Sequence, residues 1–269
     1  MARIDFEKAF IETHGPVAVL TMNDPATLNA AALEMVTGLS KACDWIAKKS
    51  NGVRAVILTG AGRGFCSGAN LQGGASSDIL DPAERDTGAA LETHYHPFLR
   101  KLQGLPCPLV TAVNGPAAGV GMSFALMGDL IVAARSAYFL QAFRRIGLVP
   151  DGGSTWMLPR LIGSARAREL SLLGEKLPAE KALEWGLINR VTDDSDLMDE
   201  AMKLASELAN GPTVALSMIR QLYWQSLENS FEQQINAERW AQQKAGRSAD
   251  FTEGVMAFLQ KRPAKFTGE

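Results

Sequence analysis

The chain has 269 residues, 46% of them hydrophobic and 21% charged, which is enough apolar content to bury a sizeable core and too much for a disordered chain. A formal net charge of −2 and a pI near 6.0 supply no broad basic field, which argues against a nucleic-acid partner and for a small-molecule substrate. The opening run MARIDFEKAF carries Asp5 and Glu7 and no long apolar core, and no apolar run reaches about 18 residues, so no signal peptide or membrane contact is expected and the protein reads as cytoplasmic.

In chain order, β-rich runs alternate with helical patterns through the first half. A strand is predicted over 17–22 (VAVLTM), a helix over about 31–49, and a strand over 53–60 (VRAVILTG). Past a polar, glycine-rich stretch come an amphipathic helix over about 82–102 and a buried strand over 108–115 (PLVTAVNG). A helix should follow, then two short strands, DLIVAARS and AYFLQ, with a turn near Ser136, and a loop over 147–153. From Ser164 onward the signals are helical, over about 165–173, 179–184, 197–210, 213–229, 231–245 and 250–261, with Gly and Pro at the joints. Only LINRVT, 187–192, looks extended there. The expected organisation is an α/β core over 1–200 and a helical module over 201–269.

Three places carry chemistry. Asp151 is a lone carboxylate in IGLVPDGGSTWMLPR, set among Gly147, Pro150, Gly152 and Gly153. Apolar neighbours and bare backbone can lift an acid from its reference of about 3.9, as a proton shuttle near neutral pH requires. The same residue fits an N-cap ahead of the helix TWMLPRLIG, and its local run leaves both readings open. The second place is VILTGAGRGFCSGANL, which leaves a buried strand through Gly60, Gly62, Gly64 and Gly68 and offers the Ala69 N–H as a donor. The third is VNGPAAGVGMSFALMGD, where a strand ends and a helix begins at Gly119, Val120 and Gly121 with unpaired N–H groups. Two N–H groups converging on one oxygen form an oxyanion hole, which stabilises an enolate without a metal. Tight packing is the alternative use of each glycine-rich turn. Neither run fits a phosphate-loop or dinucleotide fingerprint.

Other candidates are weaker. His94 and His96, two apart on a helix, face different directions with no Cys or acid to complete a site, so no metal is expected. Cys43, Cys66 and Cys107 have neither metal-ligand spacing nor an even count and read as reduced thiols. Trp156 and Trp185 read as packing.

On these motifs the chain resembles the crotonase superfamily, the enoyl-CoA hydratase/isomerase fold, along essentially its full length. LTGAGRGFCSGANL, AVNGPAAGVGMSFALMGD, ARSAYF, IGLVPDGGSTWMLPRLIG and the tail AGRSADFTEGVMAFLQKRPAKFTG are most similar to its phenylacetate-pathway isomerase branch. The resemblance implies an α/β spiral of β-β-α turns and a C-terminal helical region that packs a homotrimer or a dimer of trimers. It also implies an acyl-CoA thioester substrate and no separate cofactor, coenzyme A being part of the substrate. Carried over by position, Ala69 and Val120 supply the oxyanion N–H groups and Asp151 is the acid/base. Ala26, Leu28, Gly68, Asn70, Leu71, Gln72, Gly119 and Gly121 would line the substrate and CoA path. Asn70 departs from the family's usual Asp. Arg144 and Arg145, and Lys261, Arg262 and Lys265, read either as solvated surface or as contacts for CoA phosphates.

Typical hydratases of the family carry two glutamates that hold and activate water. Those positions are Ser123 and Phe143 here, and neither exchanges protons with water at neutral pH. Asp151 occupies the place where the family's double-bond isomerases keep their acid/base. The implied reaction is therefore an enoyl-CoA double-bond shift or a ring-epoxide rearrangement, with enoyl-CoA hydration and non-catalytic acyl-CoA binding as alternatives.

Overall fold

The computed structural model describes residues 2–70 and 86–269. The chain opens with the hairpin β1 (Arg3–Phe6) and β2 (Ala9–His14), and β2 pairs antiparallel with β3 (Val17–Met22). No strand is legible in the first two segments from sequence, because only alternate residues of β1 and β2 turn inward and no continuous apolar run results. Helix α1 (Leu33–Ile46) then leads to β4 (Ala55–Gly60). After the undescribed stretch, a π-helical turn (Leu91–Tyr95) runs into α2 (His96–Gln103); of the helix expected over 82–102, residues 82–85 lie outside the described residues and the later part is helical.

Next come β5 (Leu109–Val113), the two-residue β6 (Ala117–Ala118), α3 (Val120–Ala125), β7 (Leu130–Ala134) and β8 (Tyr138–Leu140). Helix α4 (Ser154–Leu173) contains one non-helical residue, Gly163, with φ 78° and ψ 158°, which accounts for the two separate helical signals in the sequence. Strand β9 (Lys176–Pro178), α5 (Ala179–Glu184) and β10 (Arg190–Thr192) complete the α/β part. Helices α6 (Leu197–Ala209), α7 (Thr213–Ser226), α8 (Phe231–Ala245) and α9 (Ala249–Leu259) follow.

The main sheet has the order β1-β2-β3-β4-β5-β7-β10 and is parallel from β3 onward. Strands β3, β4 and β5 are buried at every position, which is why they read as unbroken apolar runs. A second sheet, β6-β8-β9, stands beside it. Helix α6 packs on β3, β4, β5 and β7, so the boundary expected at residue 200 falls inside a helix that covers the sheet.

One charge pair, a buried arginine on a part-buried aspartate, ties the last helices to this core. The Arg220 guanidinium on α7 donates through Nε to Asp129 Oδ2 at 2.5 Å, and to the carbonyls of Leu102, Gln103 and Leu105 at 2.7, 2.6 and 3.0 Å. These carbonyls close α2, so a cation sits where a helix C-terminus leaves acceptors unpaired. Asp129 also accepts from Leu109 N–H at 2.7 Å, and its burial raises its pKa despite the arginine. Trp156 of α4 stacks on Trp224 of α7, with ring centroids 5.6 Å apart. Cys43, Cys66 and Cys107 are free and buried, and burial pushes each thiol up to about 12. Among the described residues no helix is long and apolar enough to cross a membrane.

Candidate active site

The two glycine-rich runs leave β4 and β5, neighbouring parallel strands, and so emerge side by side at the same end of the sheet. Beyond the sheet they are joined by a bridge between Cys66 and Ala117, with Cys66 N–H on the Pro116 carbonyl and Ala118 N–H on the Cys66 carbonyl, both at 2.9 Å. This register brings Gly68 against Gly119. A Cβ on Gly68 would lie 3.1 Å from the Ala118 oxygen, and one on Gly119 would lie 3.7 Å from Gly68 Cα. Both glycines also have positive φ, +110° and +54°, so close approach and left-handed backbone alike call for glycine there.

The residue after each glycine is an expected donor. Val120 is the first residue of α3, so the helix offers its N–H no acceptor. Ala69 lies in an isolated bridge to Ala31 that engages the Gly68 carbonyl, which accepts from Ala31 N–H at 2.7 Å. Neither the Ala69 nor the Val120 N–H has an acceptor among the described residues. The chain thus presents two unpaired amide donors from adjacent backbones, an arrangement suited to one anionic oxygen.

Asp151 precedes a glycine that packs on Val120, and its N-cap reading fails. The cap position of α4 belongs to Gly153, at φ 79°, with no side-chain cap hydrogen bond. Gly152 and Gly153 are both left-handed, and these two residues turn the chain between Asp151 and the helix start. The carboxyl is half-buried, its Oδ1 has no hydrogen-bond partner among the described residues, and burial lifts its pKa to about 6. Gly152 packs over Ser123 and Val120, which sets the loop on the helix that begins at the second donor.

A family model for enoyl-CoA hydratase/isomerase matches residues 12–269. The chain belongs to the enoyl-CoA hydratase/isomerase family. It is 47% identical to the 1,2-epoxyphenylacetyl-CoA isomerase of Escherichia coli K12, over 94% of this chain and 95% of that one. It is 41% identical to a probable enoyl-CoA hydratase of Rhodobacter capsulatus, with the same two shares. The solved structure of an enoyl-CoA hydratase from Polaromonas matches with a TM-score of 0.86 at 31% identity, covering 96% of this chain and 99% of its own. The crotonase-type α/β architecture expected from sequence is thereby shown.

Within this hydratase/isomerase framework the other expected residues fall as follows. Ala26 is exposed and Leu28 half-buried, in a turn held to Ser67 by the Leu28 carbonyl (3.0 Å) and the Thr27 carbonyl (2.8 Å), so this turn runs beside Gly68, Ala69 and Asn70. Leu71 and Gln72 lie outside the described residues. Gly121 has a packing role: a Cβ there would meet the Cys66 oxygen at 2.3 Å. Phe143 is buried with its ring edge 3.8 Å from a Cβ built on Gly119, an apolar wall at the site. Arg144 and Arg145 are taken up by the carbonyls of Leu172, Leu173 and Gly174 at the end of α4, and Arg262 by Glu253.

Three supporting residues escape sequence reasoning. Asn29 donates to the carbonyls of Ala61 (2.9 Å) and Gly64 (2.7 Å), and Asn114 to those of Gly60 (2.8 Å) and Gly62 (2.9 Å), so two amides grip the first glycine-rich turn. Tyr95 is buried and donates to the Ala31 carbonyl at 2.5 Å, clamping the segment that bridges Ala69. Burial holds its phenol up at about 12. The asparagines have a faint signal, in NDPATLNA and AVNG, and Tyr95 has none.

Proposed function

We propose that the protein is an acyl-CoA isomerase that shifts an enoyl double bond, or rearranges a ring epoxide, through an enolate held by the Ala69 and Val120 N–H groups. Asp151 is its single acid/base. Its carboxylate takes a proton from the carbon beside the thioester carbonyl, and the electron pair moves onto the carbonyl oxygen. The carboxylic acid then returns the proton further along the chain, so atoms and charge balance without a cofactor. Coenzyme A enters as part of the substrate, past Ala26, Leu28, Asn70, Leu71 and Gln72.

The observation that carries this reading is the half-buried Asp151 carboxyl, its Oδ1 unpaired among the described residues, on a loop whose Gly152 packs against Val120, one of two amide donors without an acceptor among those residues. A base poised at about 6 is matched to proton transfer near neutral pH. Ser123 and Phe143, where the family's hydratases place their glutamates, supply no second acid for activating water. Assembly as a homotrimer or a dimer of trimers belongs to the same reading, and the exposed Tyr223, Phe231, Trp240, Phe251 and Phe258 of the C-terminal helices support it.

Relatives described as hydratases keep hydration as a second reading. A panel of 2-enoyl- and 3-enoyl-CoA thioesters followed by mass spectrometry separates the two. The expected result is a double-bond shift without change of mass. Addition of water to the 2-enoyl thioesters as the main reaction would contradict it, and binding without any turnover would leave only a non-catalytic acyl-CoA binder.

A further inference from the structure

The main-chain carbonyl of Asp151 is held by three donors: Ser123 Oγ at 3.0 Å, Ser154 Oγ at 2.9 Å and Ser154 N–H at 3.1 Å. The carboxyl Oδ1 of the same residue is held by none among the described residues. The backbone end is anchored and the chemical end is left unpaired. Ser123 is fully buried on α3, three residues after Val120, and its hydroxyl serves only this carbonyl among the described residues. Gly152, at φ +60°, fits against it so closely that a Cβ would lie 2.7 Å from Ser123 Cβ and 2.8 Å from its Oγ. A single short helix therefore carries an oxyanion donor at its first residue and the anchor of the acid one turn later.

We infer that Ser123 is a positioning residue for Asp151, fixing the carboxylate relative to an oxyanion bound at Val120 by tying the Asp151 carbonyl to α3. The inference rests on the reading of Asp151 as acid/base and goes beyond it by assigning a role to the residue at the position where the family's hydratases keep a water-activating glutamate. A hydroxyl at 123 donates to a carbonyl that, among the described residues, has no other side-chain donor but Ser154. Alanine there removes one anchor and opens a gap under Gly152 for water. Misplacement of a catalytic group by about 1 Å costs on the order of 10²-fold in rate.

The groups around the loop limit what a pH profile can report. Tyr95 stays protonated, at about 12. His96 and Arg100 of α2 and Glu228 beyond α7 line a cavity together with Gly152 and Gly153, so they are the charged or titratable groups that face this loop from its neighbours. The upward shift of Asp151 comes from burial, so a change in its apparent pKa reports its exposure to water.

Ser123→Ala is expected to fold, to lower kcat roughly 10- to 100-fold with KM within about twofold, and to move the acid limb of kcat/KM downward from about 6. In an Asp151→Asn background the same substitution should cost nothing further, because Ser123 acts through Asp151. Wild-type kcat and acid limb in Ser123→Ala, beside an inactive Asp151→Asn, would overturn the inference alone. So would a full additional loss in the double variant. An Asp151→Asn variant that keeps its rate would overturn the underlying reading and this inference with it. Should Ser123→Ala melt below assay temperature, Ser154→Ala removes the other hydroxyl from the same carbonyl and is expected to move kcat and the acid limb in the same directions. Wild-type values there would overturn the inference too.

Discussion

Asp151→Asn is expected to bind acyl-CoA thioesters as the wild type does and to lose roughly 10²- to 10⁴-fold in kcat, the usual weight of a positioned acid/base. Asparagine keeps the shape and the anchored carbonyl but cannot accept a proton from carbon. The two amide donors are backbone groups and survive the change. The wild-type kcat/KM should rise with pH to a plateau above about 6, since the ionised carboxylate is the base, and the residual rate of the variant should show no such limb.

The same carboxyl bears on stability with the opposite sign. Its folded pKa, about 6, lies above the ordinary carboxylate value, so folding retains a proton between those two pH values. Stability present in acid is then lost as pH rises through about 6. At neutral pH, Asp151→Asn should be more stable than wild type by roughly 1–3 kcal/mol, after allowance for partial solvent exposure, and thermal melts across this pH range check it. A variant that is more stable and nearly inactive is the signature of a site that stores unfavourable desolvation for chemistry.

Arg220→Ala is expected to cost about 2–4 kcal/mol, because it removes a buried guanidinium, leaves the part-buried Asp129 carboxylate unpaired and strips donors from the three carbonyls around the end of α2. For a chain of this size the melting temperature should fall by roughly 10 °C. Arg220 touches none of the proposed catalytic groups, so kcat measured well below the melting transition should stay near wild type. A melting temperature unchanged by the substitution would show that α7 is held by its apolar contacts alone, the Trp156–Trp224 stack among them.

Much of this site is legible in the sequence because its donors are main-chain groups. Glycines at 68 and 119 announce where two backbones touch, and the register between β4 and β5 does the rest. Asp151 is visible as a lone acid, but its local run cannot distinguish a cap from a free carboxyl. That choice depends on Gly152 and Gly153 both turning left-handed and on a serine 28 residues earlier, Ser123, holding its carbonyl. Long-range partners of this kind leave no periodic trace. For the same reason Tyr95 and Arg220 pass unnoticed: an isolated tyrosine and an arginine in a helical run gain meaning only from the carbonyls they meet in the fold. The β1–β2 hairpin is missed for a different cause, its half-exposed strands lacking the apolar run that marks β3 and β4.

The central claim is that Asp151 moves a proton at the carbon beside a thioester carbonyl. The direct measurement is deuterium uptake from heavy water into a 3-enoyl-CoA thioester, followed by mass spectrometry with wild type and Asp151→Asn at equal substrate saturation. Wild type should deliver deuterium to the γ carbon as the double bond shifts, with exchange at the carbon beside the carbonyl in recovered substrate, and Asp151→Asn should leave both carbons unlabelled while still binding the thioester. Equal labelling by the two proteins would contradict the account.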